Sequence, residues 1–187
     1  MRISHSPTPA YRQVMYFIDG GYLRSSLKSM RGGDLFNITS LADNLNNYFI
    51  GSGRIQGEIL RVYYYDAICE PKEPEYDGQK SYFDGLDSQP FVEVRLGSIV
   101  KGDKEFRQKG VDVLMAIDMI TKGYENHYDI AIIIAGDGDF EPLIRAVKSS
   151  TGKHVFGVVF DEHYSRKLFR QFDKGLVINS TNVNRLL

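Results

Sequence analysis

Ile130 to Phe160 reads IAIIIAGDGDFEPLIRAVKSSTGKHVFGVVF, and the order of elements in this stretch decides the fold class. Ile130–Ala135 is an unbroken apolar run of β-branched and small residues, the pattern of a strand buried on both faces. Gly136, Asp137, Gly138 and Asp139 follow as turn formers. Phe140–Ser149 then predicts a helix, and Val155–Phe160 a second buried strand. A strand, a helix and another strand in close succession form the unit from which parallel sheets are built.

The same alternation extends outward. A helix is expected over Val111–Lys122 on the N-terminal side, and a helix over Ser165–Phe172 with a last strand at Leu176–Ile178 on the other. Near the start of the chain, Val14–Ile18 is a short apolar run ending at Asp19-Gly20-Gly21, followed by a helix around Tyr22–Met30. Ile38, Leu41, Leu45, Tyr48 and Phe49 recur at helical spacing, with Asn37 or Thr39 as N-cap and Gly51-Ser52-Gly53 as stop. Ile59–Tyr65 and Phe91–Leu96 read as strands. The polar segment between them, residues 66–90, holds three prolines and predicts a long loop with a short helix near Gln79–Leu86. These elements predict an α/β fold of three layers, α/β/α, with a mostly parallel central sheet. Residues 1–13 are expected to be a flexible tail and 14–187 a single domain.

Composition narrows the class without naming a function. The longest apolar runs fall far short of the roughly 20 residues that cross a bilayer, so no membrane partner is expected. The start, MRISHSPTPAYRQ, lacks the apolar core of a secretory signal, which points to a cytoplasmic protein. One cysteine cannot pair within the chain, and four histidines show no Cys/His spacing of a zinc site. The net charge of −1 excludes a global basic field, so contact with a nucleic acid would rest on local charge.

The acids are the chemical signal. In an open parallel sheet, ligands gather beyond the carboxyl ends of the strands. Asp19 follows the first strand and Asp137 and Asp139 follow Ile130–Ala135, so if the two strands are central and parallel their carboxylates share one rim. Asp112 would join from the start of its helix. Clustered carboxylates raise one another's pKa unless a cation neutralises them. Mg²⁺ or Mn²⁺ suits oxygen ligands, and two such ions about 4 Å apart serve in-line phosphodiester displacement. Gly20, Gly21, Gly136 and Gly138 permit tight turns and close ligand approach. Taken singly, each aspartate is better explained as a turn residue or helix N-cap.

Three motifs together resemble a known family: FIDGG at Phe17–Gly21, KGVDVLMAIDM at Lys109–Met119, and IIIAGDGDFEPLIRAVKSSTGKHVFGVV at Ile132–Val159. They are similar to the NYN domains of the PIN-like nucleases, including the LabA-like proteins. The resemblance runs from about Val14 to Ile178 and implies a PIN-like, Rossmannoid fold. It also implies a metal pocket made by Asp19, Asp112, Asp137 and Asp139, and cleavage of RNA, most simply as an endoribonuclease. Two departures stand out: Tyr22 occupies a position where many members have Asn, and Ala135 one where many have Ser.

Gly20, Gly21 and Tyr22 are candidate substrate contacts beside the first acid. Lys101, Lys104, Arg107 and Lys109, in KGDKEFRQKG, are candidate phosphate contacts, with a solvated charged loop as the alternative. Asp118 lies six residues after Asp112, rotated by about 120° and about 9 Å along the helix, so a salt bridge fits it better than a shared ion. Tyr63–Tyr65 invites base stacking, but alternation in a covered strand favours burial. Ser165 and Asp173 fit capping the last helix better than closing the pocket. A phosphatase with an aspartyl nucleophile would carry a second Asp where Gly21 stands. The competing function is a non-catalytic regulatory domain that binds RNA or a protein with the same pocket; homo-oligomerisation stays open.

Overall fold

In the computed structural model, which describes residues 10–51, 55–101 and 106–187, strand β1 (Ala10–Asp19) lies inside a seven-stranded sheet. On one side follow β2 (Ile55–Ile68), β3 (Val92–Lys101) and β4 (Phe106–Lys109). On the other lie β5 (Ile130–Ile134), β6 (His154–Phe160) and β7 (Lys174–Ile178). The order is β4-β3-β2-β1-β5-β6-β7, and every pairing is parallel except β3 with β4. The expected mostly parallel α/β sheet is therefore the one observed.

Alternation along β1 divides the core in two. Val14, Tyr16 and Ile18 face helices α1 (Gly20–Arg31), α2 (Ile38–Phe49) and α3 (Tyr76–Asp87), with the short C-terminal α7 (Val183–Leu186) on the same side. Met15 and Phe17 face α4 (Val111–Tyr124), α5 (Glu141–Thr151) and α6 (Arg166–Phe169). Both faces are thus covered, which is why β5 is buried at every residue and needs no polar alternation. The buried phenol of β1 is satisfied inside this core: the Tyr16 hydroxyl donates to the Ala42 carbonyl at 2.8 Å. The tyrosine triplet follows the same rule, with Tyr64 in the first face and Tyr63 and Tyr65 in the second.

The chain path creates a switch point. After β1 it builds outward through β2 and β3 to the edge, then α4 carries it back across the sheet to β5, on the opposite flank of β1. The loops that leave β1 and β5 at their carboxyl ends therefore diverge to opposite faces, α1 to one and α5 to the other, and open a crevice between them.

Several expectations need correcting. Residues 10–13, expected in the tail, belong to β1, because Ala10–Gln13 pair with Ile55–Glu58; the exposed side chains of Tyr11, Arg12 and Gln13 hide a strand held by backbone bonds. Residues 1–9 lie outside the described part. The charged KGDKEFRQKG segment is no simple loop: Lys101 ends β3 and Phe106–Lys109 returns antiparallel to it, a pairing that charged, edge-strand sequence conceals. Lys104 lies outside the described residues. The polar segment 66–90 is less open than its prolines imply, since β2 runs to Ile68 and the helix spans Tyr76–Asp87. No helix among the described residues is long and apolar enough to cross a membrane.

Candidate functional site

The crevice beside β1 and β5 collects carboxylates. Ile18 pairs with Ile134, so Asp19 leaves β1 level with Ala135, and Asp137 follows two residues later on the adjacent loop. Each acid also has a local task. Asp19 is the N-cap of α1, its Oδ1 accepting the Tyr22 N–H at 2.9 Å. Asp137 caps the single 3₁₀ turn Gly138–Phe140, its Oδ1 accepting the Asp139 N–H at 2.9 Å. The capping alternative is thus observed for both, and it occupies one oxygen of each. The Ser165 N–H donates to the Gly136 carbonyl at 2.9 Å and tethers this turn to the segment that enters α6.

Asp112 reaches the same rim by a different route. Gly110 has φ of +88°, a left-handed conformation that only glycine adopts without strain, and it turns the chain from β4 into α4. Asp112 then lies in the first turn of α4, where the positive end of the helix dipole favours a carboxylate.

Electrostatics join the four. Burial, opposed by the Tyr22 N–H bond and reinforced by Asp112, Asp66 and Asp137, pushes the Asp19 carboxyl up to about 6. Desolvation, then Asp137 and Asp139, raises Asp112 as well. Among the described residues, none of the four makes an ion pair with Lys or Arg. Nor do any three His, Cys, Asp or Glu side chains there gather closely enough to enclose a metal ion. The donors match a hard cation held by one or two carboxylates and water, not a closed protein cage.

Tyr22, a candidate substrate contact, is built into the scaffold. Its hydroxyl oxygen accepts the Phe160 N–H at 2.8 Å, and its ring meets Phe160 edge-on at 5.8 Å. A Cβ at Gly136 would run into that ring, so the glycine before Asp137 makes room for Tyr22. Gly20 is likewise pinned by packing, with the Tyr64 ring filling the space of its missing side chain. Gly21 faces the Gln108 amide. Lys109 is exposed at the end of β4, directly ahead of Gly110; Lys101 and Arg107 are placed here only by their strands.

Of the remaining residues, Asp118 accepts the Tyr65 hydroxyl at 2.9 Å and pairs with Lys122 at 3.1 Å and Arg95 at 3.5 Å, a structural network away from the rim. Ser165 caps α6 by accepting the Leu168 N–H at 3.4 Å. Asp173 pairs with Lys148 at 2.7 Å and accepts the Val155 N–H at 2.9 Å.

The sequence reading missed Asp66. It is fully buried two residues before the end of β2 and one past the partner of Asp19, and it pairs with Arg24 of α1 at 2.6 Å. Its other oxygen accepts the Ala67 N–H at 2.8 Å and the Gln108 amide at 3.4 Å. Burial pulls the Arg24 pKa down, but the Asp66 charge outweighs it and holds the guanidinium above its usual value. The signal was present: the strand-like run Ile59–Tyr65 is followed directly by Asp, as the run Val14–Ile18 is by Asp19.

The geometry agrees with what the chain is similar to. A solved structure of a Vibrio parahaemolyticus protein of unknown function superposes with a TM-score of 0.62 at 15% identity, over 96% of this chain and 97% of that one, which shows the shared fold. The Low amplitude and bright protein LabA of Synechococcus elongatus is 26% identical over 139 residues, covering 71% of this chain and 69% of its own length. The family pattern described as NYN domain matches residues 13–179, from the residue before the apolar run of β1 to the residue after β7. The chain belongs to the NYN domain family.

Proposed function

We propose that this NYN domain is a metal-dependent ribonuclease, an endonuclease that hydrolyses RNA phosphodiester bonds at the rim of Asp19, Asp112, Asp137 and Asp139. The observation that carries the reading is the placement of Asp19 and Asp137 at the carboxyl ends of the adjacent parallel strands β1 and β5, with Asp112 in the first turn of α4. Burial and the mutual influence of these acids raise Asp19 and Asp112. A folded protein that keeps like charges together has a use for a cation between them. The PIN-like nuclease relationship of NYN domains supports the same direction.

Asp19 and Asp137 each retain one oxygen outside their caps, and these two carboxylates would hold Mg²⁺ or Mn²⁺, with Asp112 and Asp139 ordering water around it. A divalent ion there supplies Lewis acidity toward a phosphoryl oxygen and a more acidic water. No side-chain nucleophile is needed. Lys109 leads the backbone phosphates toward the acids, and Lys101, Lys104 and Arg107 are further candidate phosphate contacts from the sequence. The caps at Asp19 and Asp137 fix both carboxylates by backbone bonds, so the rim is set before substrate arrives.

A second reading, a non-catalytic regulatory domain that binds RNA or a protein, draws on one observation: no three potential ligands gather among the described residues. One experiment separates the two. Labelled single-stranded and hairpin RNAs are incubated with protein and Mg²⁺ or Mn²⁺, alongside Asp19→Asn and Asp137→Asn. Internal cleavage by the parent, abolished by chelator and reduced on the order of 10²–10³-fold in both variants, supports the nuclease. Equal cleavage by all three would sink the metal site, and divalent-dependent RNA binding with no cleavage would favour the regulatory reading.

A further inference from the structure

A cavity of about 510 Å³ opens beside the acidic rim, between α1, the loop that follows it, α3 and the β3–β4 edge. That volume is within the range of small-ligand sites. Its walls combine apolar faces with amide and guanidinium groups. Tyr82 of α3 is 37% exposed and Leu35 is 86% exposed, while Phe36 lies behind them against Tyr64. A leucine so exposed beside a half-open tyrosine forms an apolar surface that a flat ligand would cover.

The polar groups are held in fixed positions. The Arg24 Nε and Nη2 both donate to Asp66, which locks the guanidinium in the wall with a third of its side chain open. The Gln79 Oε1 accepts the Cys69 N–H at 3.0 Å, which fixes that amide across the cavity. Gln108 connects cavity and rim: its amide donates to Asp66 at 3.4 Å, and lies 3.2 Å from where a Gly21 Cβ would be, a point itself 3.5 Å from Asp19 Oδ1.

We propose that this cavity is a nucleobase subsite, in which Tyr82 stacks on the base of the nucleotide flanking the scissile phosphate and the Gln79 and Gln108 amides meet its polar edge. A base is planar, uncharged and polar only at its edge, which is the ligand these walls complement. Asp34 and Asp66 in and behind the wall disfavour an anionic occupant, so the phosphate stays outside, toward Asp19. The subsite rests on the nuclease reading for the position of the phosphate, but base binding is measured without cleavage.

Isothermal titration of the full chain in Mg²⁺ with AMP, GMP, CMP and UMP, and with ribose 5-phosphate as the baseless control, tests it. At least one nucleotide binds better than ribose 5-phosphate, Tyr82→Ala weakens it on the order of tenfold, and Tyr82→Trp restores it. Circular dichroism confirms that the variants fold. Nucleotides binding no better than ribose 5-phosphate, or equally well to Tyr82→Ala and the parent, overturn the subsite. RNA cleavage at an unchanged rate when the flanking base is replaced by an abasic residue also overturns it and leaves the nuclease intact. Tyr82-dependent nucleotide binding in a protein that cuts no RNA keeps the subsite and removes the nuclease.

Discussion

Asp19 ends β1, and Asp66 lies one register step further along the neighbouring parallel strand, two residues before the end of β2, yet the two stand in opposite electrostatic states. Asp66 is sealed from water and compensated by Arg24 and three other donors: the Ala67 N–H, the Gln108 amide and the Tyr64 hydroxyl. Asp19 is partly open and surrounded by other acids, and its carboxyl rises to about 6. Removing charge should therefore act in opposite directions at the two positions. A carboxylate the fold depends on is paired; one kept against the fold's interest is available to a ligand.

The largest effect is expected on the compensated side. Arg24→Ala leaves Asp66 buried without its cation, and loss of one partner of a buried pair costs about 3–5 kcal/mol. Chemical denaturation at pH 7 measures it. A loss below about 1 kcal/mol would mean that Asp66 is as tolerant as a surface acid, and the contrast would collapse.

Next comes Asp19→Asn in metal-free protein. The native carboxyl at about 6 binds its proton more tightly than the unfolded one near 3.8. The parent therefore keeps this contribution below pH 4 and loses it as pH rises through about 6. Asparagine caps a helix as well as aspartate and carries no charge. The variant is expected to match the parent at pH 4 and exceed it at pH 7 by on the order of 2 kcal/mol, read from melts across that window. A variant less stable than the parent at pH 7 breaks the comparison. Asp112→Asn should show a smaller gain of the same sign, since the same causes raise it from a less buried position.

Tyr22→Phe is the smallest test and sharpens the scaffold side. It removes the acceptor of the Phe160 N–H and should cost about 1–2 kcal/mol, with RNA cleavage per folded molecule unchanged. A loss of cleavage without loss of stability would return Tyr22 to the substrate contacts.

Much of the fold was legible because both faces of the sheet are covered. Uninterrupted runs such as Ile130–Ile134 have no polar positions to confuse with a helix face, and Gly-Asp turns mark where strands end. The edge was illegible for the converse reason: Phe106–Lys109 is short, charged and paired on one side, so its residues resemble a loop. Asp19, Asp137 and Asp139 were readable from strand ends. Asp112 rested mainly on resemblance, since its place depends on the turn at Gly110 and the return of α4 across the sheet.

By itself the sequence determined the strand–helix alternation, the parallel sheet and the acids at its carboxyl edge, because each follows from local periodicity and turn chemistry. Only the tertiary structure decided that Tyr22 is bonded to β6 and that Asp66 has a cation while Asp19, among the described residues, has none. The bonds to Phe160 and Arg24 span 138 and 42 residues, and pairing at such separation depends on how strands and helices stack. Local sequence places a charge at a strand end; packing decides whether that charge is neutralised within the protein or left for a ligand.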